Sequence, residues 1–308
     1  MAELFSLKGK RVLVAGYTGM AGGAIWRRLQ SEDCERIGVG HADLDMIRQK
    51  ETEEYLAEVK PDVMFVAAAK VGGIYANSTR PAEFLYENLA IETNLIHAAK
   101  DVGVKKLMFL GSSCIYPRLS PQPMKEEALL TGPLEPTNEG YALAKIAGIR
   151  MCDYYRKEYG CDFISAMPTN LYGPGDRYDP VNGHVVAALI MKVHAAKASG
   201  AAAITLWGTG KALREFLFTE DLADAVVFMM KHYSAPGHLN VGTGTDITIR
   251  ELAEAIAAAA GWHGDIVYDP SKPDGMPRKV MDVSRLAALG WKAKTKLADG
   301  LKVAYDWY

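Results

Sequence analysis

Tyr141-Ala-Leu-Ala-Lys145 offers a phenol and an ammonium suited to moving a proton at a carbonyl. Four residues apart on a helix, the two side chains share one face. A tyrosine hydroxyl titrates near pH ~10, too high for efficient exchange at neutrality, and a neighbouring cation brings it toward working pH. The lysine can also bind the ribose hydroxyls of a cofactor. Such a pair also occurs on ordinary surface helices, so its place in the chain carries the weight. Upstream, Leu110-Gly111-Ser112-Ser113-Cys114-Ile115-Tyr116-Pro117 follows an apolar run of β type. Either Ser112 or Ser113 can donate a hydrogen bond to a carbonyl oxygen where charge develops, although paired serines often only cap turns.

A third segment binds rather than reacts. In Arg11-Val-Leu-Val-Ala-Gly16-Tyr17-Thr18-Gly19-Met20-Ala21-Gly22 three glycines fall at GxxGxxG spacing between a strand and a helix. Glycine permits the tight turn and lets backbone approach a pyrophosphate at the positive helix N-terminus. The spacing is that of short-chain dehydrogenases. The second strand ends in Val39-Gly40-His41, with no carboxylate at its tip to accept ribose hydroxyls, which favours NADP. Against this, Asp43 lies about where a ribose-binding acid is expected, and no arginine occupies the loop to meet a 2′-phosphate.

The elements that must position these groups alternate in type. Strands are predicted at Arg11–Ala15, Arg36–Gly40, Val63–Ala67, Lys106–Leu110 and Phe163–Pro168. Helices are predicted near Met20–Gln30, Ile47–Val59, Pro81–Asp101, Glu139–Tyr159 and His184–Ser199. The alternation signifies βαβ units, and ligands of such open α/β sheets bind at the carboxyl ends of the strands. The expected fold is a Rossmann-type, doubly wound parallel sheet over residues 1–172, with a segment near 212–245 crossing back. A smaller α/β substrate domain covers 173–308.

The chain has 308 residues and a formal charge of −2, with both signs interspersed, which gives no reason to expect nucleic acid or an anionic membrane as partner. Cys34, Cys114, Cys152 and Cys161 form no metal-ligand pattern and read as free thiols of a reducing compartment, so no metal is expected. No apolar run reaches membrane-spanning length, and Met1–Lys10 is too polar for a signal peptide; a cytoplasmic protein is expected.

Further segments carry a resemblance: Ala67–Gly73, Gly111–Pro117, Glu135-Pro-Thr-Asn138, Tyr141–Gly148, Pro168-Thr-Asn-Leu-Tyr-Gly-Pro174, Trp207–Gly210, Arg214-Glu-Phe216 and Ser271–Gly275. Over essentially its whole length the chain resembles the extended short-chain dehydrogenases, and within them the 3,5-epimerase/4-reductases of GDP-4-keto-6-deoxy-D-mannose. The resemblance implies a homodimeric, NADP-dependent enzyme forming GDP-L-fucose, with helices Pro81–Asp101 and Glu139–Tyr159 pairing across the dimer. It implies reduction by Tyr141, Lys145 and Ser112, with Cys114 as base and His184 as acid for inverting C3 and C5. For the cofactor it implies Gly16, Tyr17, Thr18, Gly19, Met20, Ala21, Gly22, Asp43, Leu44, Leu110, Gly111, Ser112, Ser113, Lys145, Pro168, Thr169, Asn170, Leu171 and His184. For the GDP-sugar it implies Asn170, Lys192, Trp207, Arg214 and Asp274. Read without the resemblance, Trp207 suits a core aromatic, Arg214 a surface ion pair with Glu215, and Cys114 a small packed thiol. A dehydratase on the same scaffold needs acidic residues where this chain has Ser113 and Cys114. A plain 4-epimerase leaves Cys114 and His184 unused, and a non-catalytic NADP sensor leaves Tyr141 and Lys145 unused. A related GDP-4-keto-heptose is the alternative substrate.

Overall fold

A computed structural model describes residues 3–179, 183–272 and 276–308. Its first half runs β1 (Arg11–Ala15), α1 (Met20–Arg28), β2 (Glu35–Val39), α2 (Gln49–Val59), β3 (Val63–Val66), α3 (Ile74–Thr79), α4 (Pro81–Asp101), β4 (Lys106–Leu110), α5 (Glu139–Tyr159) and β5 (Asp162–Pro168). The second half runs β6 (Asn170–Tyr172), α6 (Val185–Ser199), β7 (Ala203–Trp207), β8 (Leu213–Phe218), α7 (Thr219–His232), β9 (His238–Val241), β10 (Asp246–Thr248), α8 (Ile249–Ala260), β11 (Asp265–Asp269), β12 (Arg278–Lys279), α9 (Ser284–Ala288) and α10 (Leu297–Trp307).

The central sheet is parallel, in the order β2-β1-β3-β4-β5-β9. Its inner strands β3 and β4 are nearly continuous apolar runs, fully buried because helices cover both faces. In β3, Met64 and Val66 join the core under α4 and α5, while Val63 and Phe65 join the core under α1 and α7. The expected doubly wound α/β fold is therefore present. The sixth strand, β9, comes from the second half of the chain and pairs with β5.

Where boundaries differ from the sequence reading, side chains compete with the ladder. β2 stops at Val39 rather than Gly40, whose amide turns to the Asp43 carboxylate at 2.8 Å. Helix α2 starts at Gln49 rather than Ile47, because Asp45 captures the Ile47 amide at 3.2 Å. Helix α3 has no counterpart in the sequence reading.

A smaller assembly follows the sheet. β8 pairs with β6 and β12 in parallel and with β10 in antiparallel, and β7 pairs with β11. Helices α6, α8 and α10 close a third apolar core around Tyr172, Phe216 and Phe218. Among the described residues no helix is long and apolar enough to cross a membrane, and no cluster of side chains could hold a metal ion.

Candidate active site

The glycine loop leaves β1 in a turn that only glycine accommodates well. Gly16 has φ +86°, and a Cβ on Gly22 would lie 2.1 Å from the Gly16 carbonyl oxygen. The first turn of α1 holds no acidic residue, so its positive end opposes no fixed carboxylate. This cradle fits a dinucleotide pyrophosphate. The Tyr17 ring lies 5.3 Å from Trp26, and Thr18 packs on Gly40. Asp43 is exposed, yet its carboxylate caps the Gly40 amide at the tip of β2. Leu44, Leu110 and Ser113 are buried around the strand ends.

The loop after β4 is shaped by Ser112. Its hydroxyl accepts from the Cys114 amide at 3.3 Å, capping the short turn Ser113–Ile115. The same side chain faces the Tyr141 phenol closely enough to lower its pKa. Of the two serines left open by sequence, Ser112 is thus the one beside the phenol. Tyr116 pins the loop from below, donating to Asn240 at 2.5 Å and contacting His238 at 2.9 Å.

Helix α5 presents Tyr141 and Lys145 on one face, the Lys145 ammonium 5.9 Å from the centre of the Tyr141 ring. Burial pushes the Tyr141 hydroxyl well above its ordinary range, Cys114 and Glu92 add to this, and Ser112 opposes it. The lowering toward working pH expected from the neighbouring cation is therefore absent, because desolvation outweighs it, and the phenol is protonated at neutral pH. Burial pulls the Lys145 ammonium below its usual range, and Glu92 holds it up.

Around Cys114 the structure gathers groups that sequence reasoning did not assign. The Asn138 amide donates to the sulfur at 3.1 Å, and the Lys279 ammonium lies 3.8 Å from it. Both are donors, which suits an anionic sulfur. Asn138 stood in the quoted Glu135–Asn138 segment without a role. Lys279, on β12, had no local signal at all.

His184 is exposed at the N-cap of α6, next to the buried Asp176. Thr169 and Asn170 both donate to the Glu215 carbonyl, at 3.3 Å and 2.7 Å. Pro168 ends β5, and Leu171 lies in β6 beside β8. Lys192 donates to the Thr205 carbonyl at 2.7 Å. Trp207 is 72% exposed, so it is no core aromatic, and the Lys272 ammonium lies 5.7 Å from its ring. Glu215 is not Arg214's surface partner: it is fully buried and accepts from the amides of Thr243, Gly244 and Met281. Adjacent residues of a strand point to opposite faces, which separates the two. Asp274 lies outside the described residues.

Glu92 of α4 is the other residue that sequence reasoning missed. It lies 3.5 Å from the Lys145 ammonium, and burial pushes its carboxyl up to about 7 against the pull of that ammonium. An acid whose folded value exceeds its ordinary 4.5 stabilises the fold fully below pH 4.5, and this contribution is lost as pH rises to about 7. The melting temperature of the wild-type chain minus that of Glu92→Gln is therefore expected to fall between about pH 5 and pH 8. Calorimetry across that range checks it, and a difference independent of pH would mean that the carboxyl ionises normally.

Comparison with known proteins agrees with this arrangement. Residues 12–242 match the model of the NAD dependent epimerase/dehydratase family. A GDP-L-fucose synthase of Sinorhizobium fredii is 54% identical over 98% of this chain and 96% of its own. The Escherichia coli GDP-L-fucose synthase is 48% identical, with 97% and 96% covered. A crystal structure of a GDP-L-fucose synthetase from Naegleria fowleri bound to NADP superposes with a TM-score of 0.91 at 26% identity, covering 99% of this chain and 96% of that one. With a strand-end crevice of this build and relatives this close over their full length, the chain belongs to the NAD dependent epimerase/dehydratase family, in its GDP-L-fucose synthase branch.

Proposed function

We propose that this chain converts GDP-4-keto-6-deoxy-D-mannose to GDP-L-fucose, inverting C3 and C5 and then reducing C4 with NADPH. One observation carries the reading: a half-buried proton donor, Tyr141 near Ser112, stands beside Cys114, whose sulfur is met by the donors Asn138 and Lys279. A group that protonates a ketone oxygen thus adjoins a base for the carbons next to that ketone.

In this reading Cys114, as thiolate, removes the proton from C3 and then C5. The electron pair of each C–H bond moves onto the C4 oxygen, where Ser112 and Tyr141 hold the developing charge. His184 returns a proton from the opposite face, and between the two inversions the proton taken by Cys114 is released to solvent while His184 regains one, so that base and acid are restored. NADPH, when bound, supplies the hydride that reduces C4. Tyr141 gives its proton to the C4 oxygen, and Lys145 stabilises the phenolate left behind. Gly16 to Gly22 hold the pyrophosphate of the dinucleotide, with Leu44, Leu110, Gly111, Ser113 and residues 168–171 around the rest of it. Lys192, Trp207, Arg214 and Asp274 take the GDP moiety. Residues 1–172 and the returning segment near 212–245 form the cofactor unit, and 173–308 mainly the sugar-nucleotide unit. The exposed Tyr86, Leu143, Tyr154 and Tyr159 on α4 and α5 support a homodimer joined through these helices, and free cysteines with no metal-ligand pattern support a reducing compartment, the cytoplasm.

Incubation of the purified chain with GDP-4-keto-6-deoxy-D-mannose and NADPH, with the product identified by NMR, tests the assignment. The expected product is GDP-L-fucose. A 4-reduced sugar with C3 and C5 unchanged would remove the epimerase half. With Asp43 spent on the Gly40 amide, kcat/KM is expected to be higher for NADPH than for NADH. The opposite preference would assign Asp43 to the ribose.

A further inference from the structure

Glu92 has no part in the steps above, yet it lies against one of their principal groups. The residue is 1% exposed, and apart from the Lys145 ammonium at 3.5 Å neither carboxylate oxygen has a hydrogen-bond partner. The lysine side chain is 3% exposed, and its ammonium lies 4.7 Å from the centre of the Phe109 ring and 5.9 Å from that of Tyr141. Helix α5 makes room for this contact at Gly148, where a Cβ would meet Phe109 at 2.3 Å and the Glu92 carboxylate at 2.9 Å. The carboxylate comes from α4, which packs along α5, so the pair joins two helices at the base of the site.

A lone ammonium among apolar neighbours gives up its proton, and a lone carboxylate takes one. Together each favours the other's charge, and above about pH 7, where Glu92 is ionised, the pair is charged on both sides. Without its positive charge Lys145 stabilises no phenolate on Tyr141. The titratable groups that feel the Glu92 charge besides Lys145 are Tyr141 and Cys152 of α5, and Cys114 acts in turn on Tyr141; of these groups Glu92 is the acid and Lys145 the cation.

We propose that Glu92 is a positioning residue of the reductase step: through its ion pair it keeps Lys145 charged and aimed at Tyr141, and so sets the alkaline limit of reduction. The proposal rests on the assignment of Tyr141 and Lys145 to reduction. The sign follows from the charges. The negative Glu92 favours the protonated forms of both Lys145 and Tyr141, and reduction needs both. Removing the charge lets both lose protons at lower pH.

Glu92→Gln keeps the shape and removes the charge. Single-turnover NADPH oxidation should show its alkaline limb at a pH lower by about one, so that near pH ~9 the variant reduces the ketone ~10-fold more slowly than wild type. Deuterium uptake at C3 and C5, which depends on Cys114, should stay at the wild-type rate near pH ~7, where Tyr141 is protonated in both proteins. Glu92→Asp, which keeps a carboxylate, should recover most of the alkaline activity. A limb at the wild-type pH, or an equal loss in both reactions at every pH, would overturn the proposal and leave Glu92 a packing residue. If Glu92→Gln does not fold, the double variant Glu92→Gln/Lys145→Met decides: recovery of a folded protein supports the pair, and continued failure overturns it. Failure of the wild-type chain to reduce any GDP-4-ketosugar would instead strike the functional assignment, while the melting-temperature difference of the cofactor-free Glu92→Gln protein still reads the buried acid.

Discussion

Replacing Tyr141 by phenylalanine is expected to slow hydride transfer to the C4 ketone by ~10²–10⁴-fold while leaving the fold intact. The change removes one oxygen. The ring stays packed on α5, and Lys145 remains paired with Glu92. What disappears is the proton that the C4 oxygen needs, together with the phenol oxygen beside Ser112. Because burial holds the phenol protonated, the wild-type step needs no prior proton uptake at neutral pH, and the variant has no substitute donor at that position. The measurement is single-turnover loss of NADPH absorbance, with NADPH affinity by fluorescence titration as the control. Near-normal reduction with unchanged NADPH affinity would remove Tyr141 from the mechanism. A loss of NADPH binding would make it a cofactor residue instead.

The second large effect separates the two chemistries. Cys114→Ser is expected to stop exchange of the C3 and C5 protons with solvent, lowering deuterium uptake by ~10²–10⁴-fold. An alcohol in the place of a thiol keeps the Asn138 contact but is far too weak a base near neutrality. NADPH binding should persist, since the glycine loop is untouched. Some reduction of the ketone should persist too, through Tyr141, Lys145 and Ser112. The expected product is a sugar reduced at C4 without inversion, formed slowly, because the unepimerised ring presents C4 less favourably. Incubation in D₂O followed by mass spectrometry or NMR reads both results at once. Deuterium uptake at the wild-type rate would return Cys114 to the standing of a packed loop thiol, and the donors around its sulfur would need another explanation.

Much of this protein is written in short-range pattern. The glycine spacing after Ala15, the Tyr141–Lys145 interval and the serine loop after Leu110 each depend on residues within one turn or one strand end. Their local geometry follows from backbone sterics and helix periodicity. The strand and helix order followed for the same reason, since uninterrupted apolar runs alternating with helical segments permit few folds other than a parallel sheet covered on both faces. Element ends were less legible: Asp43 and Asp45 turn backbone amides out of the ladder, and a side chain's choice of partner is a tertiary matter. The same holds for Glu215, which beside Arg214 in sequence looks like half of a surface ion pair and in the fold is a buried anchor for three amides.

Only the tertiary structure decided what surrounds the reactive groups. Lys279 reaches Cys114 across 165 residues of chain, Asn138 across 24, and Glu92 meets Lys145 from a different helix. No spacing rule connects such positions, because their separation is closed by sheet order and helix packing rather than by local backbone geometry. The charge on a lysine or the protonation of a phenol depends on how much water has been removed and which charge remains within a few ångströms. The sequence by itself determined which residues can do the chemistry and where along the strands they sit, while burial and long-range pairing determined their protonation, since both exist only once α4, α5 and β12 have come together.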